Sequence, residues 1–432
     1  MAAAAWGRRL PRAWLRRCGP DCPRAPRAAG APPGTRPSLC CRSAGPGRGR
    51  HYRAALCVEP KQPLAVEEVG PRPVRPHEVR VDVHFCGVNF ADILVCRGQY
   101  QEKPQLPFTP GMEFSGIVLE TGADVSTVKE GDRVIGVSGF NGMAEECIID
   151  QKTLWQIPEG VSLREAATLP VSYGTALLAL EHRACTQPGE TVLVTAAAGA
   201  TGLAVIDVAT NILQAKVIAA VGSDEKCQLV MQKGAQSVVN YSQGGLKEAV
   251  RKLVGSVGVN VVIDTVGGDV FLEALRRERE RQAEGEAGSL QETRRGTRSC
   301  GPRIRPWTEG GAKLLSHPGC PLFNFLRNLH INTCLAWEGR IVVVGFAGGT
   351  IASVPANLLL LKNVSAMGLY WSRYKEQNFP IFSRTLSSAL QYCQQGRIQP
   401  HIGAVFKLEK VNDAFLHVIQ RKSTGKVLIS LK

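Results

Sequence analysis

A glycine-rich turn between a strand and a helix is the part of the sequence best suited to chemistry. The apolar strand Thr191–Thr195 is followed by Ala196-Ala-Ala-Gly199-Ala-Thr-Gly202 and then by a helical pattern. Gly199 lets the backbone approach a pyrophosphate, Gly202 lets the helix lie close to the strand, and free N–H groups at the helix start attract negative charge. The turn predicts a dinucleotide site; the alternative is a tight turn with a structural role.

The end of the second strand indicates which dinucleotide fits. An NAD site usually places an acidic residue there, which binds the ribose 2′-hydroxyl. Here Gly222 is followed by Ser223 and Lys226, a hydroxyl and an ammonium that suit a 2′-phosphate. Asp224 lies close to the expected acidic position, but an acid also suits the first turn of the next helix. We therefore predict NADP(H), with Ser223 and Lys226 at the 2′-phosphate.

The segments around this turn alternate between strands and helical patterns, which predicts a doubly wound parallel sheet in an α/β fold. The predicted strands are Thr191–Thr195, Lys216–Ala220, Ser237–Asn240, Asn260–Asp264, Arg340–Phe346 and Val364–Leu369. The predicted helices include Leu203–Leu213, Asp224–Gln232, Leu246–Leu253 and Val270–Leu275.

The chain before the turn has a different pattern of predicted secondary structure. Short strands separated by Pro and Gly predict an irregular, mainly β domain. Ser162-Leu-Arg-Glu165 is a capping box that opens a helix, and Pro170 is predicted to interrupt it before a second helical run through Ala176–His182. The predicted strands are Ala54–Val58, Val79–Phe85, Glu113–Glu120, Arg133–Val137 and Glu145–Ile149.

The formal charge of +15 is concentrated in two segments. Residues 1–50 are rich in Arg, with Asp21 as their single acid, which predicts a mitochondrial transit peptide and a matrix location; a disordered tail is the alternative. Residues 277–334 are Arg- and Glu-rich without clear periodicity, and they predict a disordered insertion that either loops out or damages the fold. The remaining body is nearly neutral, so a nucleic-acid surface has little support.

The apolar runs predict no membrane span, and the cysteine spacing predicts no disulfide or metal framework. The longest uncharged run, from Thr191 to Ile206, is short of a membrane span. None of the 14 cysteines forms a Cys-x-x-Cys pair, which indicates reduced thiols in an intracellular compartment.

Several short motifs resemble those of the quinone oxidoreductase (zeta-crystallin) branch of the medium-chain dehydrogenase/reductases. The resemblance covers about residues 52–276 and 335–432 and is specific because the motifs occur in the same order. They are Gly87-Val-Asn-Phe-Ala-Asp92, Pro110-Gly-Met-Glu113, Gly131-Asp-Arg-Val134, Tyr173-Gly-Thr-Ala176, Ala196-x-x-Gly199-x-x-Gly202, Gly222-Ser-Asp-Glu-Lys226, Asp264-Thr-Val-Gly-Gly268 and Gly345-Phe-Ala-Gly-Gly349.

The resemblance implies a GroES-like catalytic domain over residues 51–176 and 370–432, a Rossmann domain over 177–369, and a homodimer or homotetramer. It places Gly199, Ala200, Thr201 and Gly202 at the pyrophosphate, and it adds Tyr241 to Ser223 and Lys226 around the 2′-phosphate. It implies that the nicotinamide side is formed by Phe346 and the pair Gly348-Gly349, and that the cleft is lined by Asn89, Tyr100 and Thr175.

The positions of zinc ligands in related dehydrogenases are filled by other residues. Zinc-dependent relatives use a Cys shortly after the Gly of the first motif, a His before the Glu of the second, and a third ligand near the domain crossing. Those positions hold Asn89, Met112 and, across residues 162–180, neither Cys nor His. An amide and a thioether hold Zn²⁺ poorly, and the pair of His84 and Cys86 has no third ligand, so we predict no metal.

Without a Lewis acid, an already activated acceptor is the natural substrate. The expected reaction is hydride transfer from NADPH to a quinone or an α,β-unsaturated carbonyl, where charge delocalises onto oxygen. Tyr100 is predicted to donate a hydrogen bond or proton and Asn89 to orient the nicotinamide or substrate; the alternatives are a cleft-edge tyrosine and a turn amide. Rival functions are a mitochondrial enoyl-thioester reductase and a non-catalytic nucleotide- or RNA-binding relative.

Overall fold

The computed structural model describes residues 51–275, 334–354 and 356–432. The predictions for the leader 1–50 and for the insertion 277–334, apart from Cys334, fall outside these ranges. Among the helices of the described residues, none is long and apolar enough to cross a bilayer. The eight cysteines of these residues are free thiols.

The N-terminal half and the end of the chain build a mixed sheet, which is antiparallel except for the parallel pair of β14 and β15. Its order is β14-β15-β3-β4-β5-β7, with β6 paired to β3, while β1 and β2 form a separate hairpin. The C-terminal strand β15 lies antiparallel to β3, with Leu428 opposite Gly87. The strands are β1 (Tyr52–Leu56), β2 (Ala65–Val69), β3 (Glu78–Val88), β4 (Glu113–Thr121), β5 (Arg133–Val137), β6 (Glu146–Asp150), β7 (Leu154–Gln156), β14 (Ile402–Lys407) and β15 (Lys426–Ser430).

The second sheet is parallel and doubly wound, in the order β10-β9-β8-β11-β12-β13. The chain order reverses between β8 and β11, and ligands bind at this kind of switch point in open α/β sheets. Its strands are β8 (Thr191–Val194), β9 (Lys216–Val221), β10 (Ser237–Asn240), β11 (Val259–Asp264), β12 (Leu335–Val343) and β13 (Ser365–Gly368). Its helices are α4 (Ala200–Asn211), α5 (Glu225–Gln232), α6 (Leu246–Val254), α7 (Gly268–Leu275) and α8 (Ala356–Lys362).

The remaining helices join or cover the two sheets. One apolar cluster runs from the parallel strands to α3 and α10 and contains the fully buried Leu169, Leu177 and Phe382. These helices are α1 (Phe90–Cys96), α2 (Leu163–Ala166), α3 (Leu169–Leu177), α9 (Tyr374–Gln377), α10 (Phe379–Gln394) and α11 (Val411–Ile419). Single turns of 3-10 helix occur at Gln151–Thr153, Trp371–Arg373 and Leu408–Lys410, and a six-residue π-helix covers Leu178–Arg183.

Two details differ from the sequence prediction. Pro170 lies in the first turn of α3 rather than ahead of a later helix, because a proline at that position gives up no intrahelical hydrogen bond. The strand predicted over Arg340–Phe346 begins at Leu335 and ends at Val343. Beyond it, the Ala347 amide donates to the Thr265 carbonyl, so the chain has left the sheet and Phe346 lies in a loop.

The sheet continues past the point where the predicted insertion enters. β12 pairs with β11 in parallel register from Val261 opposite Arg340 to Asp264 opposite Val343. The predicted fold class, a GroES-like mainly β domain with a doubly wound Rossmann domain, is confirmed.

Candidate active site

The glycine-rich turn presents free backbone N–H groups at the switch point. The helix α4 begins at Ala200, and its first intrahelical bond runs from the Leu203 amide to the Gly199 carbonyl at 2.9 Å. The amides of Ala200, Thr201 and Gly202 precede this first intrahelical donor, so none of them has an acceptor within the helix, and an anion can bind there.

The two glycines of the turn meet different surroundings. A Cβ atom on Gly202 would lie 2.6 Å from the carbonyl oxygens of both Ala196 and Ala197, whereas one on Gly199 would lie 3.2 Å from the nearest atom, the Ala196 oxygen. Gly202 thus allows the start of the helix to lie against the turn that leads from the preceding strand. Gly199 has more room, so its small size is needed less for packing.

Asp264 holds the ends of β8 and β11 together beneath this turn. The Thr195 hydroxyl donates to Asp264 Oδ1 at 2.7 Å, and the Gly267 amide donates to Oδ2 at 2.9 Å. The Thr265 amide in turn donates to the Thr195 hydroxyl at 3.0 Å. Asp264 is fully buried, and burial raises its pKa. Its motif was recognised in the sequence, but no role was assigned to the carboxylate.

The loop after β12 lies beside the loop after β11. The Gly348 amide donates to the Val266 carbonyl at 2.9 Å, and a Cβ atom on Gly348 would lie 2.8 Å from that oxygen. The Phe346 side chain is 43% exposed. Both residues therefore lie at the carboxyl edge of the parallel sheet, and their predicted place beside a nicotinamide stays a prediction.

The residues predicted for a 2′-phosphate meet at the end of β9 together with an arginine that sequence reasoning missed. Lys226 Nζ donates to the Arg421 carbonyl at 2.8 Å, and burial followed by the Arg421 charge lowers the Lys226 pKa. The Tyr241 hydroxyl lies beside Gly222. Burial raises the Tyr241 pKa, and the Arg421 charge opposes that rise. Ser223 is partly exposed next to this group.

Arg421 reaches this group through the C-terminal segment. It follows α11 with a φ of 58°, the left-handed conformation that often ends a helix. Four residues later the Gly425 amide donates to the Ala198 carbonyl of the glycine-rich turn at 2.8 Å. No local pattern marks Arg421, because it lies 195 positions from Lys226.

Asp224 is the N-cap residue of α5, as its interpretation as a helix-start residue predicted. Its Oδ1 accepts a hydrogen bond from Asn240 Nδ2 at 2.7 Å, and its Oδ2 accepts one from Gln243 Nε2 at 2.6 Å. Both carboxylate oxygens of Asp224 thus already accept a hydrogen bond from a side-chain amide of the chain.

Tyr100 lies next to a second tyrosine from the chain segment after β13. The rings of Tyr100 and Tyr370 pack edge to face with centroids 6.4 Å apart. Burial, followed by a hydrogen bond with Tyr370, raises the Tyr100 pKa. Tyr370 donates to Glu102 Oε1 at 2.6 Å. The structure thus links Tyr100 to a hydroxyl and an exposed carboxylate, and its predicted role as a donor remains open.

Asn89 belongs to a buried ionic network. Its Nδ2 donates to Glu113 Oε1 at 2.9 Å, and its Oδ1 accepts from Lys426 Nζ at 2.7 Å. Lys426 and Glu113 also form an ion pair, with side-chain exposures of only 2% and 0%. The second carboxylate oxygen of Glu113 accepts a hydrogen bond from the backbone N–H of Val171 in α3 at 2.8 Å. Thr175, on the same helix, is 5% exposed.

These residues do not fit zinc. The Asn89 oxygen is occupied by an ammonium, and Met112 offers a thioether. Cys86 is fully buried, burial raises its pKa, and His84 lies against Asp82 at 3.4 Å. No group of three or more His, Cys, Asp or Glu residues that could hold a metal occurs within residues 51–275, 334–354 and 356–432.

Asp92 gives the N-terminal domain an unusual pH dependence. Its buried carboxylate accepts hydrogen bonds from the backbone N–H groups of Asn89 at 2.9 Å and of Gly111 at 3.1 Å. Burial raises the pKa of Asp92 to about 7. The folded chain therefore keeps a proton that the unfolded chain releases above about pH 4.

The free energy of unfolding is expected to fall between about pH 4 and about pH 7, by at most about 1.4 kcal/mol per pH unit from this one proton. Denaturant unfolding of wild type and Asp92→Asn across this range measures the slope. The variant should have a smaller slope, and parallel curves for the two proteins would contradict the assignment.

Family models match three stretches of the chain. The alcohol dehydrogenase GroES-like domain matches residues 75–173, and zinc-binding dehydrogenase models match residues 200–280 and 322–429. The chain is similar to quinone oxidoreductase-like protein 2 of Bos taurus, with 68% identity over 100% of both chains. It is 28% identical to human quinone oxidoreductase over 83% of this chain and 90% of that protein.

Solved structures of similar proteins share the architecture. The quinone oxidoreductase of Thermus thermophilus, whose structures include a complex with NADPH, has a TM-score of 0.65 and 27% identity over 88% of this chain and 99% of its own. A probable oxidoreductase of Mycobacterium abscessus has a TM-score of 0.67 and 26% identity over 89% of this chain and 100% of its own.

Proposed function

We propose a specific reaction on the premise that this chain belongs to the quinone oxidoreductase branch of the medium-chain dehydrogenase/reductases and is an oxidoreductase. The reaction is the reduction of a quinone or an α,β-unsaturated carbonyl by NADPH, without zinc. The observation that carries the proposal is the meeting of Lys226 and Arg421 with Tyr241 at the end of β9, the strand next to β8, which leads into the glycine-rich turn.

The choice of NADPH rests on charge. Two cations and a hydroxyl suit a phosphate dianion, and Asp224, the one acid at the expected position, already accepts hydrogen bonds on both oxygens. The solved complex of the Thermus thermophilus relative with NADPH supports the same cofactor.

In the proposed mechanism the main task of the chain is to bind NADPH and the acceptor and to orient them toward each other. NADPH, when bound, supplies the hydride. The amides of Ala200, Thr201 and Gly202 hold the pyrophosphate, and Asp264 fixes the two loops that form this edge of the sheet. An N–H or O–H group in the cleft stabilises negative charge on the acceptor oxygen. Because the donor set does not fit a Lewis-acid metal, the acceptor must be electrophilic by itself.

The test follows NADPH oxidation by the full chain with a quinone, an enone and a 2-enoyl thioester, before and after dialysis against a zinc chelator. We expect turnover of the quinone or enone that the chelator does not change. Preference for the thioester by tenfold or more would identify an enoyl-thioester reductase instead. Tight NADPH binding without oxidation by any acceptor would indicate a non-catalytic relative.

We also propose that the chain works in the mitochondrial matrix, because its first 50 residues are Arg-rich with one acid. The test is N-terminal sequencing of the protein purified from fractionated mitochondria. A matrix protein that starts near His51 is the expected result, and an uncleaved protein outside mitochondria would contradict the proposal.

We propose that the protein is a homodimer or homotetramer that uses the edge of the parallel sheet. The edge strand β13 exposes Ser365, Ala366 and Gly368, and α8 exposes Leu360 to 75%. An open edge beside an apolar helix favours pairing with another chain. Leu360→Glu should shift the mass measured by light scattering toward the monomer, while Val58→Glu in the other half should not. A monomeric wild type would contradict the proposal.

A further inference from the structure

Lys426 is a buried cation for which the fold provides polar partners and space. Its side chain is 2% exposed, and its ammonium contacts the Glu113 carboxylate and Asn89 Oδ1. Gly87 leaves room for it, since a Cβ atom there would lie 2.7 Å from Lys426 Cε and 2.5 Å from Glu113 Oε1. A buried ion pair costs desolvation energy and often contributes little to stability compared with apolar residues, so a role other than stability is worth testing.

The network fixes the orientation of the Asn89 amide. Its oxygen must face the ammonium, and its nitrogen must face the carboxylate, because the reverse arrangement would set donor against donor and acceptor against acceptor. One of the two Nδ2 hydrogens is used by Glu113. The structure gives the second hydrogen no acceptor among the described residues, and Asn89 is the partly exposed member of the three.

We propose that Lys426 is a positioning residue: with Glu113 it fixes and polarises the Asn89 amide, whose second N–H donates to the oxygen of the reduced acceptor. This deepens the proposed reduction and rests on it. Two of the three family models that match the chain are those of zinc-binding dehydrogenases, and here a fixed ammonium beside Asn89 would supply positive charge in place of a metal. The amide keeps its proton, so no bond is made or broken in the network.

The physical basis is cooperative hydrogen bonding. An ammonium on the amide oxygen draws electron density from the nitrogen and strengthens its N–H as a donor, more so where the dielectric is low. A donor that is already oriented stabilises charge that develops on the acceptor oxygen. The benefit should be greatest for acceptors that delocalise this charge poorly.

The main test uses the full chain and two variants. Lys426→Met combined with Glu113→Gln removes both charges together and avoids an orphaned buried ion. Asn89→Ala removes the amide and leaves the ion pair in place. We expect Asn89→Ala to lower kcat by about 10²-fold, as for a lost oxyanion donor, and the double variant to lower it by about tenfold. Both should melt cooperatively, and titration of each variant with NADPH separates a loss of kcat from a loss of cofactor binding.

Two readouts separate positioning from a structural role. The loss of kcat should be larger for an enone than for an electron-poor quinone, whereas general damage lowers both equally. Nitrophenolate, which presents a delocalised oxyanion, should bind wild type in its ionised form and bind both variants more weakly by absorbance titration.

Equal losses for all acceptors, or unchanged rates and phenolate binding in Asn89→Ala, would overturn the proposal. Wild-type rates in the folded double variant would overturn the role of Lys426 as well. If the double variant does not fold, Lys426→Gln, which keeps a neutral donor to Asn89 but removes the charge, should lower kcat in the same acceptor-dependent way, and wild-type rates in it would overturn the proposal. A wild type that oxidises no NADPH with any acceptor would instead overturn the proposed function, and phenolate binding would still report on the network.

Discussion

Replacing both Lys226 and Arg421 with alanine is expected to raise the Kd for NADPH by about 10²-fold to 10⁴-fold and to change the Kd for NADH little. Each charge-assisted hydrogen bond to the 2′-phosphate contributes about 1.5–3 kcal/mol, and each 1.4 kcal/mol is a factor of about ten in Kd. NADH has no 2′-phosphate and therefore loses none of these contacts.

Fluorescence titration of each variant with both nucleotides measures this effect. Single variants are needed as well, because Lys226 also donates to the Arg421 carbonyl and its loss can move Arg421. Lys422→Ala, which removes an exposed cation next to Arg421, is the matched control for long-range charge. Equal weakening of NADPH and NADH binding would show that these residues support the fold rather than the phosphate.

The second large expected effect is a difference between alanine substitutions at the two glycines of the turn. Gly202→Ala places a Cβ atom 2.6 Å from two backbone oxygens that have no side-chain freedom to move, so we expect about 1–3 kcal/mol of lost stability. Gly199→Ala places it 3.2 Å from one oxygen, in a backbone conformation with φ of −75° that alanine adopts readily. Gly199→Ala should therefore fold normally but weaken NADPH binding, because its methyl group faces the phosphate.

Thermal melting and NADPH titration of both variants test this division. Gly244→Ala, whose Cβ would meet nothing within 4 Å, is the control for the loss of a glycine. If Gly202→Ala is as stable as wild type, the close contact of helix and strand is not what requires the glycine. If Gly199→Ala binds NADPH as tightly as wild type, the pyrophosphate does not approach at Gly199.

The sequence predicted the parallel sheet well because local patterns encode it. Ser237–Asn240 was placed at its observed bounds, and most other strands and helices lie within a few residues of their predictions. The apolar runs of buried parallel strands and the glycine-rich turn are local signals. The end of β12 was misplaced because Val344 and Phe346 continue the apolar run, although the Ala347 amide that follows them donates to the Thr265 carbonyl of the neighbouring loop.

The missed parts of the site depend on contacts distant in sequence. Arg421 joins Lys226 across 195 positions, and Lys426 joins Asn89 across 337. Neither Arg421 nor Lys426 stands out in the sequence, because the C-terminal segment around them contains several other cations. Only the antiparallel pairing of β15 with β3 brings Lys426 under Asn89, and that register cannot be read from either strand alone.

Acceptor-dependent oxidation of NADPH by the full chain after removal of zinc is the decisive measurement for the proposed zinc-free reduction. The nucleotide absorbance is followed with a quinone and an enone as acceptors, NADH serves as the matched cofactor, and elemental analysis measures bound metal. We expect turnover that prefers NADPH, persists at less than about one zinc per ten chains, and falls in the Asn89→Ala variant. Turnover that requires added zinc, or that prefers NADH, would contradict this expectation.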